Sequence, residues 1–180
     1  MDTSQKLTKG LVQVYTGNGK GKTTASLGLC LRAVGTGLQA MVVQFMKGRG
    51  TTGELAAIRT FGSKFVIKQF GTGDFIFGTK PTAAELNCAK AGLDFVAHEL
   101  CQGDYDVIVL DEISHAVNNG FLAVDDIVQV IAKRHPQVEV VLTGRDMPVE
   151  LLAIADLISE IAAIKHPYDR GIKGRQGIEG

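Results

Sequence analysis

The segment Gly17-Asn18-Gly19-Lys20-Gly21-Lys22-Thr23-Thr24 constrains this chain more than any other. Three glycines spaced two apart give a backbone that turns freely. They stand between an apolar, β-rich run, Leu11–Tyr15, and a helical stretch, Thr23–Val34. Strand, glycine-rich loop and helix in that order predict a phosphate cradle, with backbone N–H groups turned inward and the helix N-terminus adding positive dipole. Lys22 is placed to neutralise phosphate charge, and the Thr23 hydroxyl to hold Mg2+. The loop is one residue shorter than the usual G-x-x-x-x-G-K-[ST], because Thr16 stands where that pattern has glycine. A shorter loop predicts a change in the depth or direction of a bound triphosphate. A dinucleotide-binding reading fails: the spacing is G-x-G-x-G followed by Lys22, and the second strand ends in Gln44-Phe45 with no acidic residue to take a ribose.

The rest of the chain alternates in the same way. Leu11–Tyr15, Leu38–Phe45, Phe65–Phe70, Asp106–Leu110, Val138–Leu142 and Leu157–Ile161 read as strands. Val107–Leu110 and Val140–Leu142 are unbroken apolar runs, the pattern of strands buried on both faces of a parallel sheet. Helices are predicted over Thr23–Val34, Thr82–Cys101, Val124–Arg134 and Pro148–Ala155. The second opens with a capping box, Thr82 and Glu85, and places Leu86, Leu93, Val96 and Leu100 on one face. The expected fold is a single-domain α/β P-loop NTPase-like (RecA-like) structure: a mostly parallel sheet, helices on both faces, right-handed crossovers. Residues 1–9 are expected to be a flexible N-terminal segment and residues 10–180 the domain. Two glycine-rich loops, Lys47–Gly53 and Gly71–Pro81, and the aperiodic tail from Lys165 all follow strands. They are expected to converge at the carboxyl edge of the sheet, where ligands bind in open α/β folds.

Composition narrows the partners. With 19 basic and 19 acidic residues the chain has no excess charge for coating a nucleic acid. No apolar run approaches the ~18 residues of a membrane span, and the N-terminus lacks a hydrophobic signal core. Cys30, Cys88 and Cys101 are odd in number and lack metal-site spacing, so they read as small core residues of a cytoplasmic protein. His98 and His135 read as helix-borne structural histidines, with His115 close to the site.

The second half of a nucleotide site is Val107-Ile108-Val109-Leu110-Asp111-Glu112, an apolar strand that delivers two carboxylates beside the phosphate loop. Asp111, Glu112 and Thr23 are the expected Mg2+ ligands. A GTPase would carry Asn-Lys-x-Asp, which is absent, and a DExH box would need histidine where Ser114 stands. What remains is a small ATP-using α/β enzyme.

These segments resemble one family, the ATP:corrinoid (cob(I)alamin) adenosyltransferases of the P-loop type. The resemblance rests on GNGKGKTT at 17–24, Arg32-Ala33-Val34-Gly35, Val43-Gln44-Phe45-Met46-Lys47-Gly48 and Gly53-Glu54. It continues through Gly73-Asp74-Phe75-Ile76-Phe77, Leu110-Asp111-Glu112-Ile113, Leu142-Thr143-Gly144-Arg145 and Lys165-His166-Pro167-Tyr168. It runs from about Gly10 to Glu179, and the shortened loop is itself a family trait. The chain departs from the family at Thr36, where histidine is frequent, and at Phe77, where some members have tryptophan.

The resemblance implies transfer of the 5′-deoxyadenosyl group of ATP to the Co(I) of a corrinoid, with release of triphosphate. It implies ATP and corrinoid as substrates, Mg2+ as cofactor, a flavin-type electron donor, no nucleic-acid or membrane partner, and a homodimer. It assigns Lys22, Thr23 and Glu112 to catalysis. ATP would be bound by Gly17, Asn18, Gly19, Lys20, Gly21, Lys22, Thr23, Thr24, Arg32, Lys47, Glu54 and Arg145, and the corrinoid by Phe75, Phe77 and His166. Phe75 and Phe77 would crowd the lower face of the corrinoid, removing the axial ligand that makes cobalt hard to reduce. Without the resemblance the residues also accommodate a P-loop kinase or ATPase with another acceptor, or a module that binds ATP and corrinoid without turnover.

Overall fold

The unbroken apolar runs are shared between two cores. The computed structural model describes residues 6–48, 52–72 and 80–178. In it Ile108, Leu110, Val140 and Leu142 enter one core, while Val107, Val109 and Val141 enter the other. The two-residue period of a strand sends neighbours to opposite faces, so a run buried throughout requires cover on both. The six strands are β1 (Val12–Thr16), β2 (Ala40–Phe45), β3 (Phe65–Phe70), β4 (Val107–Asp111), β5 (Glu139–Thr143) and β6 (Leu157–Glu160). They form one sheet in the order β3-β2-β4-β5-β1-β6, and every pairing is parallel. The expectation of a mostly parallel α/β P-loop NTPase-like domain therefore holds, and the sheet is wholly parallel.

The helices are α1 (Lys22–Gly35), α2 (Gly53–Ile58), α3 (Ala83–Gln102), α4 (Ile113–Asn118), α5 (Val124–Ala132) and α6 (Val149–Ala153). Helix α1 packs over Ala40, Val42, Val109 and Val141; α3, α4, α5 and α6 cover the larger core on the other face. The capping box of α3 forms as expected: the Thr82 hydroxyl accepts from the Glu85 N–H, and the Glu85 carboxylate accepts from the Thr82 N–H. Leu93, Val96 and Leu100 are buried on that helix, but Leu86 stays exposed beyond the edge of the core.

Several boundaries differ from the sequence-based expectation. Helix α5 stops at Ala132 rather than Arg134, because Pro136 disfavours helical backbone at the residue before it. His135 consequently lies in a loop, its N–H donating to the Leu100 carbonyl. Two short helices, α2 and α4, and the 3-10 turns Arg59–Lys64 and Pro167–Arg170 arise in segments too brief for a helical period to register. Of the cysteines only Cys30 is buried, which pushes its thiol up to about 12; Cys101 is exposed. Among the described residues no helix is long and apolar enough to cross a membrane.

Candidate active site

Strand β1 ends at Thr16, and the backbone then makes a loop that ends at Gly21, the N-cap of α1, with φ of 122°. That left-handed value favours glycine, and with no side chain there α1 has no side-chain cap. Its first-turn N–H groups are thus left for a ligand, where the dipole favours an anion. The loop is braced from behind by residues that follow β6. Gly19 donates its N–H to the Ile161 carbonyl at 2.7 Å, and Asn18 Oδ1 accepts from the Ala163 N–H at 3.0 Å. A Cβ on Gly19 would stand 2.6 Å from the Ile161 oxygen, so the close approach requires glycine. The shortened loop is therefore held by a neighbouring segment, and the Gly19 N–H is spent on that bracing.

Lys22 is buried at the centre of the loop, its ammonium donating to the carbonyls of Gly17 and Gly19 at 2.7 and 2.9 Å. Burial, above all, lowers its pKa; Glu112 acts to raise it and Arg145 to lower it further. Glu112 and Arg145 therefore both lie within electrostatic reach of the loop lysine. Glu112 itself adopts φ of 60° at the turn into α4, with its N–H donating to the Thr143 hydroxyl.

The phosphate loop and the carboxylate strand meet through Asp111, which is fully buried. Its Oδ1 accepts from the Thr23 hydroxyl at 2.8 Å and from the Thr143 hydroxyl at 2.7 Å. Its Oδ2 accepts from Gln44 Nε2 and from the Lys47 ammonium, both at 3.1 Å. Strand periodicity explains the grouping. Gln69, Gln44, Asp111 and Thr143 continue the alternate positions whose lower members, such as Ile67, Val42, Val109 and Val141, pack under α1. Near the carboxyl ends of these strands the apolar row becomes a polar one, directly beside the start of α1.

This donor set suits a hard divalent cation. Thr23 and Asp111 offer oxygen ligands 2.8 Å apart, and Glu112 follows Asp111 in sequence. Among the described residues no group of three or more His, Cys, Asp or Glu could hold a metal alone. A cation bound here needs substrate phosphates to complete its shell, which is the Mg2+ pattern.

A cleft of about 420 Å3 opens over the loop, lined by Lys20, Thr23, Thr24, Leu27, Lys47, Thr52, Gly53, Glu54, Gly177 and Ile178. The structure thus brings Lys20, Thr23, Thr24, Lys47 and Glu54 together, along with the end of the tail. Arg32 is elsewhere. It lies in the last turn of α1 and lines a separate hollow with Leu11, Gln13, Val107 and Glu139 at the amino edge of the sheet. His166 Nδ1 accepts from the Tyr168 N–H and so caps its own 3-10 turn. Phe75 and Phe77 lie outside the described residues. Three participants escaped sequence reasoning as site residues: Gln44, Thr143 and the bracing segment 161–163. An amide inside the buried run Ala40–Phe45 was the available signal for Gln44; nothing in residues 161–163 announced their role.

The family model described as ATP:corrinoid adenosyltransferase BtuR/CobO/CobP matches residues 8–180. A corrinoid adenosyltransferase of Escherichia coli (strain K12) is 34% identical over 171 residues, covering 95% of this chain and 86% of the relative. Corrinoid adenosyltransferase CobA of Salmonella typhimurium shows the same figures, and a corrinoid adenosyltransferase of a Sinorhizobium species is 37% identical over 174 residues, covering 95% and 80%.

Proposed function

Since the chain belongs to the ATP:corrinoid adenosyltransferase family and is an enzyme that adenosylates corrinoids at the expense of ATP, we propose that its braced loop holds the triphosphate as leaving group. The cobalt(I) electron pair forms the bond to C5′, and the C5′–O bond breaks with its electrons leaving on triphosphate. No proton needs to move, so no general base is required. The protein's task is to place C5′ in line with cobalt and to stabilise the charge that gathers on the departing oxygens.

Lys22 lies at the loop centre and Lys47 at its rim, the two cations nearest the leaving group in this reading. The uncapped start of α1 contributes N–H donors of Thr23 and Thr24. Thr23, Asp111 and Glu112 would hold Mg2+, which supplies further positive charge to the triphosphate. Glu54, which lines the same cleft as Thr23, is assigned to the nucleoside end of ATP. Arg145, within electrostatic reach of Lys22, adds to the positive field. The observation that carries this reading is the 2.8 Å bond between Thr23 and Asp111, which joins the phosphate loop to the carboxylate strand.

The corrinoid reading of Phe75, Phe77 and His166 rests on the sequence resemblance. So do a flavin-type electron donor and a homodimer, while a cytoplasmic location rests on the cysteine pattern. Leu157 and Ile158, about half exposed on the edge strand β6, offer apolar surface for a second copy. The test is to identify the leaving group. With ATP, Mg2+ and chemically reduced corrinoid, triphosphate should form in equal amount with the adenosylated product. ADP or orthophosphate as the main product would instead indicate a kinase or ATPase.

A further inference from the structure

Gln44 is completely buried, and an apolar side chain at that position would cost less to bury. Its amide is satisfied at both ends. Nε2 donates to Asp111 Oδ2 at 3.1 Å, and Oε1 accepts from Gln69 Nε2 at 2.9 Å. These residues stand at one register of adjacent strands, Gln69 on β3 opposite Gln44 on β2, and Gln44 opposite Asp111 on β4. The direction of the chain follows from chemistry. An ionised carboxylate only accepts, so Gln44 must turn its NH2 toward Asp111 and its oxygen toward β3. Gln69 must then present its own NH2. Each amide has a single orientation that satisfies its neighbour.

The two oxygens of Asp111 are thereby divided. Oδ1 faces Thr23 and Thr143, on the nucleotide side; Oδ2 faces Gln44 near the end of β2 and Lys47 just beyond it. The end of β2 is in turn tied to β3, since the Met46 N–H donates to the Phe70 carbonyl at 3.0 Å.

We infer that Gln44 and Gln69 are positioning residues for adenosyl transfer: the amide pair fixes the rotation of the Asp111 carboxylate so that Oδ1 stays beside Thr23. Neither touches substrate; both act through Asp111. The inference rests on the proposed reading that Asp111 and Thr23 hold the Mg2+ of the nucleotide. Second-layer groups of this kind typically alter metal affinity by about 10- to 100-fold when changed.

Gln69 offers the cleaner test because it is only partly buried. Gln69→Glu keeps its shape but turns an acceptor toward Gln44 Oε1, so the Gln44 amide reverses and aims its oxygen at Asp111. Gln69→Leu removes the donor without forcing that reversal. ATP binding is measured calorimetrically, without corrinoid, across a Mg2+ titration, with thermal midpoints recorded alongside and Asp111→Asn as reference. The Mg2+ concentration for half-maximal ATP binding should rise roughly tenfold in Gln69→Glu and only about two- to threefold in Gln69→Leu. Turnover should show the same order. If Asp111→Asn shifts the Mg2+ curve and Gln69→Glu does not, the positioning role is wrong. The same holds if Gln69→Leu has the larger shift, as loss of packing would produce. If Asp111→Asn leaves the curve unmoved, the Mg2+ reading of Asp111 falls, and this inference with it.

Discussion

The two edges of the sheet both carry carboxylates, but they are held in different ways. At the amino edge, Asp106 accepts from the Gln39 N–H at 2.8 Å, Asp156 from the Val12 N–H at 2.8 Å, and Glu139 from the Leu11 N–H at 2.6 Å. Those donors are main-chain groups entering strands, fixed wherever the fold is fixed, although Glu139 also accepts from the Gln13 side chain through its other oxygen. At the carboxyl edge, all four donors to Asp111 are side chains: two hydroxyls, an amide and an ammonium. Side chains can exchange partners when a ligand arrives, whereas a strand backbone cannot. Acids of the first kind staple the chain; an acid of the second kind is available for chemistry.

That contrast can be broken from either side. The largest expected effect is at the carboxyl edge, in Lys22→Ala. Losing the cation beside the departing triphosphate should reduce turnover on the order of 100- to 1,000-fold at saturating ATP. A folded variant with near-parental turnover would remove Lys22 from the chemistry.

Replacing Phe75 and Phe77 together by alanine probes the proposed corrinoid role of these two residues. From a Co(II) corrinoid, adenosylation should fall about tenfold or more, since ligand removal must precede reduction; from chemically prepared Co(I) the loss should be within about threefold. Equal losses from both starting states would refute the proposed removal of the lower axial ligand.

At the amino edge the expected effect is on stability. Asp106→Ala removes the buried carboxylate that accepts from the part-buried Gln39 N–H, and losing that charged hydrogen bond costs about 1–3 kcal/mol. For a domain of this size that is a thermal midpoint lower by roughly 2–12 °C, with turnover at 25 °C near the parental value. A fall in turnover at unchanged midpoint would erase the distinction between the edges.

The smallest expected effect is that of Arg32→Ala. Its guanidinium belongs to the hollow at the amino edge with Leu11 and Glu139, so the KM for ATP should stay within about twofold. A tenfold rise would return Arg32 to the nucleotide.

The same contrast marks what was legible in the sequence. Loop, carboxylate strand and parallel sheet were readable because each depends on local pattern: glycines at 17, 19 and 21, and the apolar runs ending at Asp111 and Thr143. Arg32 shares a helix with Lys22, but ten residues at about 1.5 Å each carry it to the opposite edge. Sequence proximity to the loop did not convey that. Gln44 was visible as a polar residue in a buried run, but its role appears only when β2 is set between β3 and β4 in register. Bracing of the loop by Ile161 and Ala163 is a contact across more than 140 residues, carried on the 161–163 side by backbone groups that any side chain could accompany.

The most direct test of the account makes one chemical change at both edges. Asp111→Asn and Asp106→Asn each replace a buried carboxylate by an amide of the same shape. The asparagine oxygen at 106 can still accept from the Gln39 N–H, so turnover and Mg2+ dependence should match the parent, with a midpoint lower by only a few degrees, equivalent to about 1 kcal/mol. At 111 the charge itself matters. Turnover should fall on the order of 100-fold, and the Mg2+ needed for half-maximal activity should rise about tenfold or more. Equal Mg2+ titration curves for the two variants would contradict the assignment of chemistry to the carboxyl edge.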